Sequence, residues 1–250
     1  MKIEAFLRHK DYREAADSGL LLWRQNFIFF LPFFAVPFWV FAFVLRIFLP
    51  DNLQYYSWII IWFLKPLFDR IILHIISIRF FEKDAGSKRL CQGIGKSLCR
   101  GLAGDLLWRR FSPFRSVMMP VRVLERNLKS EKNITERKNN LKKNGIGYCI
   151  VLTIWGIAAE IALLTGQILF TAAMAEITSR GFISSIESFL NVEIYLYAAW
   201  CINYMLVESI YVCMGFSLYV NSRIKAEGWD IEIIFKSFAE KYVNRENTAC

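Results

Sequence analysis

A chain of 250 residues that is 55% hydrophobic and 16% aromatic is more apolar than an ordinary soluble domain, and membrane protein is the class it fits best. Its formal net charge of +9 argues for attraction to anionic lipid headgroups and for membrane topology rather than for nucleic-acid binding. The six cysteines include no CxxC pair and no Cys/His ligand spacing, so neither a disulfide framework nor a metal site is expected.

Residues 1–25 mix Ile3, Phe6, Leu7, Leu20, Leu21 and Trp23 with charges, which predicts a short cytoplasmic amphipathic helix at the inner interface. No secretory signal is expected, because Lys2, Arg8, Lys10 and Arg13 are mixed with acids and no small-residue cleavage pattern follows the first apolar run. That run, Asn26 to Leu45, is 20 uncharged residues, enough at about 1.5 Å per residue to cross roughly 30 Å of hydrocarbon. Pro32 and Pro37 inside it predict a kink. The stretch from Tyr55 to Phe81 reads as a second span, so that 26–81 holds transmembrane helices one and two. Residues 82–147 form a basic loop, with a helical pattern from Ile94 through Leu98, Leu102 and Leu106, an irregular "FSPFRSVMMPV" and a charged, solvated tail. Region 148–220 holds spans three and four, Tyr148 to Met174 and Ile194 to Val220, each 27 residues with one charge, Glu160 and Glu208. In 221–250, Ile231, Ile234, Phe235, Phe238 and Tyr242 recur at helical spacing and predict a second cytoplasmic amphipathic helix. The expected fold is therefore all-α: a polytopic membrane protein with four transmembrane helices plus amphipathic interfacial helices.

Lys and Arg distribution orients it. Residues 82–147 carry 16 basic and 6 acidic groups, whereas 175–193 carry one basic and three acidic. Because cytoplasmic loops retain the basic excess, the long loop and both termini are expected inside.

Span two raises the main chemical question, since Lys65, Asp69, Arg70 and His74 interrupt its isoleucines and leucines. Three central charges cost about 7.5–10.5 kcal/mol on an insertion scale, against about 4.5–9 kcal/mol from the apolar positions. Such a helix inserts only if its charges pair, face water, or sit near the cytoplasmic surface. Glu160 and Glu208 fall at the centres of their own spans, at the depth of Asp69. Thr153, Gly156, Glu160, Gln167 and Thr171 share one face of span three, and Cys201, Tyr204, Glu208, Tyr211 and Gly215 share one face of span four. The expectation is a polar cluster of Lys65, Asp69, Arg70, His74, Glu160 and Glu208, in which Lys65 and Arg70 neutralise the two glutamates and Lys65 also holds Asp69. It reads either as a fixed ion-pair network or as a path for protons, ions or a small polar substrate. Pro66 suggests a break between two half-helices.

Reaction motifs are lacking. "GIGKS" (Gly93 to Ser97) has Leu90 where a phosphate-binding loop needs glycine, and "GFS" at Gly215 is followed by no glycine through Val220. No nucleophile, base and metal set can be assembled from the spans, so no catalytic residue and no cofactor is assigned.

The stretches "KPLFDRIILHIISIRFF" (Lys65 to Phe81), "LLWRRFSPFRSVMMPVRVLE" (Leu106 to Glu125) and "VESIYVCMGFSLYVNSRIKAEGWDIEIIFKSFAE" (Val207 to Glu240), with "REAADSGLLLWR" near the N-terminus, together resemble uncharacterised multi-spanning bacterial inner-membrane proteins. As the resemblance implies, such proteins are often encoded beside MoxR-type AAA+ ATPases and von Willebrand factor A-like proteins. It implies a scaffold or accessory subunit of an ATPase-associated envelope system, with a cytoplasmic AAA+ ATPase or other membrane subunits as partners. Its polar signature is Lys65, Asp69, Arg70, Glu208, Arg223, Glu227, Trp229, Asp230 and Glu232, the last five forming a C-terminal interface or fixing an interfacial helix against the bundle. The chain departs from the pattern at Ser209, where proline is expected, and at Ser222, where arginine is expected.

Overall fold

The computed structural model describes residues 10–54, 56–82, 85–99, 102–107, 112, 114–124, 131–179 and 192–227. Among them the protein is all-helical, and three helical stretches are long and apolar enough to cross a membrane: Tyr12–Phe48, Gly147–Ala173 and Ile194–Lys225.

The first begins as α1, Tyr12–Phe30. It passes through a wide π-helical turn, Leu31–Ala35, into α2, Val36–Phe48. Pro32 and Pro37 each remove an N–H from the i→i−4 ladder, and the turn between them is re-bonded at i→i−5, with Val36 N–H donating to Leu31 O. The predicted kink is thus a local widening inside a continuous helix. The separate interfacial helix expected over 1–25 is corrected for its described part, because Ala15, Ser18, Gly19, Leu22 and Asn26 are buried along one stripe of α1.

That stripe packs on α9, Val192–Glu227, in antiparallel register. Asn221 exchanges hydrogen bonds with the Lys10 backbone, at 3.3 Å from Lys10 N and 3.2 Å to Lys10 O. Ser217 Oγ donates to Ala15 O at 2.6 Å, and Trp23 Nε1 donates to Ser209 Oγ at 2.7 Å. Further along, Tyr204 stacks on Phe38 at 5.0 Å between centroids and Tyr197 donates to Ala42 O at 2.9 Å. The approach is close because Gly19 lacks a side chain: a Cβ there would lie 2.5 Å from Met214 Cα.

Helix α3, Tyr56–Phe81, runs unbroken through Pro66, so the two half-helices expected from that proline are a single rod. Its first half exposes Tyr56, Ile59, Trp62 and Phe63, whereas every residue from Phe68 to Ser77 is buried. A helix apolar on all sides needs a full wall, and four short helices contribute to it: α4 (Ser87–Cys91), α5 (Ile94–Cys99), α6 (Leu102–Leu107) and α7 (Arg115–Leu124). The pattern from Ile94 to Leu106 is helical wherever it is described, as α5 and α6. The stretch expected to be irregular is largely the helix α7, seven of whose residues are buried, Ser116 to Val121 and Val123.

Helix α8, Glu131–Ser179, carries the charged tail of the loop into the third apolar stretch. It is the outermost helix, with Val151, Ile154, Ile161, Leu169 and Phe170 exposed. It pairs with α9 through a reciprocal amide clasp, in which Gln167 and Asn203 donate to each other at 2.9 and 2.7 Å. Beyond it, Thr153 meets Tyr211 at 3.2 Å, so the two predicted polar stripes do face each other.

Candidate functional site

Lys65 sits one residue before Pro66 at the middle of α3, and its ammonium lies 2.8 Å from Glu160 Oε1 on α8 and 2.6 Å from Glu208 Oε2 on α9. It also stands 5.2 Å over the Tyr204 ring, a cation–π contact that further stabilises a desolvated charge. The other Glu208 oxygen is 3.1 Å from Arg115 Nη2, and the same nitrogen pairs with Asp69 Oδ2. Arg115 opens α7, whose next residue, Ser116, is pressed so tightly on Gly215 that a Cβ at 215 would overlap it. Close packing at that glycine lets a helix of the predicted loop reach the charges of α3 and α9.

A second group lies next to the first. Arg70 donates to Asp105 Oδ2 at 2.5 Å and to Leu98 O at 2.6 Å, and Arg122, two turns after Arg115, pairs with Asp105 Oδ1. The first group holds three carboxylates (Asp69, Glu160, Glu208) and two cations (Lys65, Arg115); the second holds one carboxylate (Asp105) and two cations (Arg70, Arg122). Three plus one acids therefore meet two plus two bases, so the whole balances while the first group alone is one negative charge in excess. Buried ions are tolerated when paired in this way.

Lys65 joins the two glutamates, as the depth argument required. Two expectations are corrected. Arg70 is turned to Asp105 and not to either glutamate, and Asp69 is held by Arg115 and not by Lys65. His74 Nε2 lies 3.1 Å from Leu90 O. Arg115, Asp105 and Arg122 were not anticipated. The available signals were an apolar run between Pro113 and Pro120 inside a basic loop, and a lone acid in the otherwise uncharged run from Gly101 to Trp108. Of the C-terminal signature residues, Arg223 is buried with Nη1 3.4 Å from Tyr219 Oη, and Glu227 ends α9. Trp229, Asp230, Glu232 and the second predicted amphipathic helix lie outside the described residues.

The first charge group borders a cavity of about 180 Å³, whose walls include Trp62, Lys65, Arg115, Ile157, Glu160 and Glu208. That is room for several waters. Glu208 is almost fully enclosed, its side chain 3% exposed, while Glu160 is 29% exposed at the rim. Among the described residues no set of three or more His, Cys, Asp or Glu side chains is arranged to hold a metal ion. Cys149, Cys201 and Cys213 are buried free thiols elsewhere in the helices.

Comparison with protein-family models, with curated proteins and with solved structures gives no match.

Proposed function

We propose that this is a four-span protein of the bacterial inner membrane whose working element is the ion-paired cavity, a site that takes up and passes a proton or small cation. Helix α3 supplies the fourth span: 26 residues, or about 39 Å at about 1.5 Å per residue, with its charges neutralised by neighbours. The basic loop supports cytoplasmic termini.

One observation carries the reading. The charges of the first group border an open cleft of about 180 Å³, with Glu160 at its rim and Glu208 enclosed behind it. Glu160 and Glu208 share Lys65 as a partner, and ionisable groups inside a helical bundle of this kind mark proton and ion paths. In proteoliposomes carrying a pH gradient, the wild-type chain should dissipate the gradient faster than protein-free vesicles, and Glu160→Gln should abolish the difference while the protein stays folded. Equal rates with and without the wild-type protein would remove the proposal.

The accessory-subunit reading draws on the resemblance and on the basic loop as a partner surface. Stoichiometric recovery of an AAA+ ATPase on purification in mild detergent would favour it over the relay.

A further inference from the structure

The buried positions of the first apolar stretch recur every fourth residue, at Leu22, Asn26, Phe30, Phe34, Phe38 and Ala42. In a helix of about 3.6 residues per turn such a series drifts around the axis by about 40° at each step. The π-turn Leu31–Ala35, with Val36 N–H on Leu31 O, closes its ladder at i→i−5, holds an extra residue and takes back part of the drift. Phe38 thereby stays on the buried side and stacks on Tyr204, with the centroids 5.0 Å apart and the rings 17° from parallel. Turns of this kind are frequent at functional sites, and the ring seated by this one is the ring beneath Lys65.

Three groups stand against the Lys65 ammonium: Glu160 Oε1 at 2.8 Å, Glu208 Oε2 at 2.6 Å and the Tyr204 ring, its centroid 5.2 Å away. An ammonium has three N–H donors to match them. The two carboxylates draw it in different directions, Glu160 toward the rim and Glu208 toward the interior. On its flexible four-carbon stem the charge could follow either; a ring face fixed from the first span removes that freedom. The Tyr204 hydroxyl contributes little, since 3.4 Å to Lys65 O exceeds the usual O–H···O range of about 2.5–3.0 Å. Tyr204 is buried, and it is not among the described residues that wall the cavity, so it acts through Lys65.

We propose that Tyr204 is a positioning residue of the site: seated by the π-turn through Phe38, its ring holds the Lys65 ammonium between Glu160 and Glu208. This role rests on the ion-paired cavity being the working element, whereas the placing of Lys65 is readable without any flux.

Solid-state NMR of the full chain in phosphatidylcholine bilayers, isotope-labelled at lysine Nζ, reads that placing, and Lys65→Met identifies the signal. The expected result is an immobile ammonium whose protons are shifted upfield of the remaining lysines by the Tyr204 ring current. Tyr204→Phe should keep that signal. Tyr204→Leu should lose both the shift and the immobility, and Phe38→Leu, which keeps bulk but removes the stacked ring, should reduce the shift. A wild-type Lys65 signal with no upfield shift overturns the inference even if Tyr204→Leu does not fold, and so does a shift that persists unchanged in folded Tyr204→Leu. In the pH-gradient assay, Tyr204→Phe should match the wild-type dependence of rate on pH, and folded Tyr204→Leu should displace it. An upfield Lys65 signal without wild-type flux sinks the relay and leaves the placing standing; flux with the same pH dependence in Tyr204→Leu removes the positioning role and leaves the relay.

Discussion

Replacing Arg115 by leucine should cost about 3–5 kcal/mol of stability, because it strands two buried carboxylates at once. Asp69 is fully buried and Glu208 nearly so, and Arg115 is paired to both. Leucine can fill much of the arginine stem's volume, so the loss is chiefly electrostatic: Asp69 keeps no described cation, and Glu208 keeps only Lys65. Unfolding titrations in mixed micelles should show the midpoint fall steeply. Adding Asp69→Asn to Arg115→Leu should recover a substantial part of the loss, since the amide needs no counter-charge. If Arg115→Leu leaves the midpoint unchanged, α7 does not reach the bundle and the predicted loop is only a loop.

Gly19→Val should be the most damaging substitution outside the charged groups. The nearest atoms to a Cβ at this position are backbone, Met214 Cα at 2.5 Å and Cys213 O at 2.8 Å. No rotamer change in a neighbour relieves such a contact, and α1 can make room only by moving off α9. Overpacking in a well-filled core costs about 1–3 kcal/mol, and separating helices whose contacts run from Lys10 to Trp23 should take the cost to or beyond the top of that range. Gly166→Ala is the matched control, since a Cβ there meets nothing within 4 Å. The comparison is read from the same titrations: equal behaviour of the two variants would contradict the close α1–α9 packing.

The apolar stretches were legible in the sequence because length and hydropathy alone define them, and the facing of α8 on α9 was legible because Thr153, Gln167 and Tyr211 lie on helical faces fixed by periodicity, although Asn203, the partner of Gln167, was not foreseen. The pairing of Lys65 with Glu160 and Glu208 followed from a single constraint, that ions at one depth in hydrocarbon must meet. What could not be read was partner choice. Lys65 and Asp69 are four residues apart on one helix and look like a pair, but Arg115 arrives from a segment 46 positions further on and takes Asp69, leaving Lys65 to the glutamates. Arg70 was lost to Asp105 for the same reason, since nothing in a local pattern shows that short loop helices fold back around the second half of α3. The N-terminal segment misled differently: apolar residues among charges suggested an interface, while Ala15, Ser18, Gly19 and Leu22 are buried, with Ser18 donating to Glu14 O.

The pairing of Lys65 with Glu208 is best tested by a double-mutant cycle built from Lys65→Met and Glu208→Gln, with unfolding free energies measured in one lipid mixture. Ion partners at 2.6 Å should be coupled by about 2–3 kcal/mol, with the double variant more stable than the sum of the two losses predicts. Losses that add to within about 0.5 kcal/mol would mean that the two side chains do not meet, and the ion-paired cavity would have no basis.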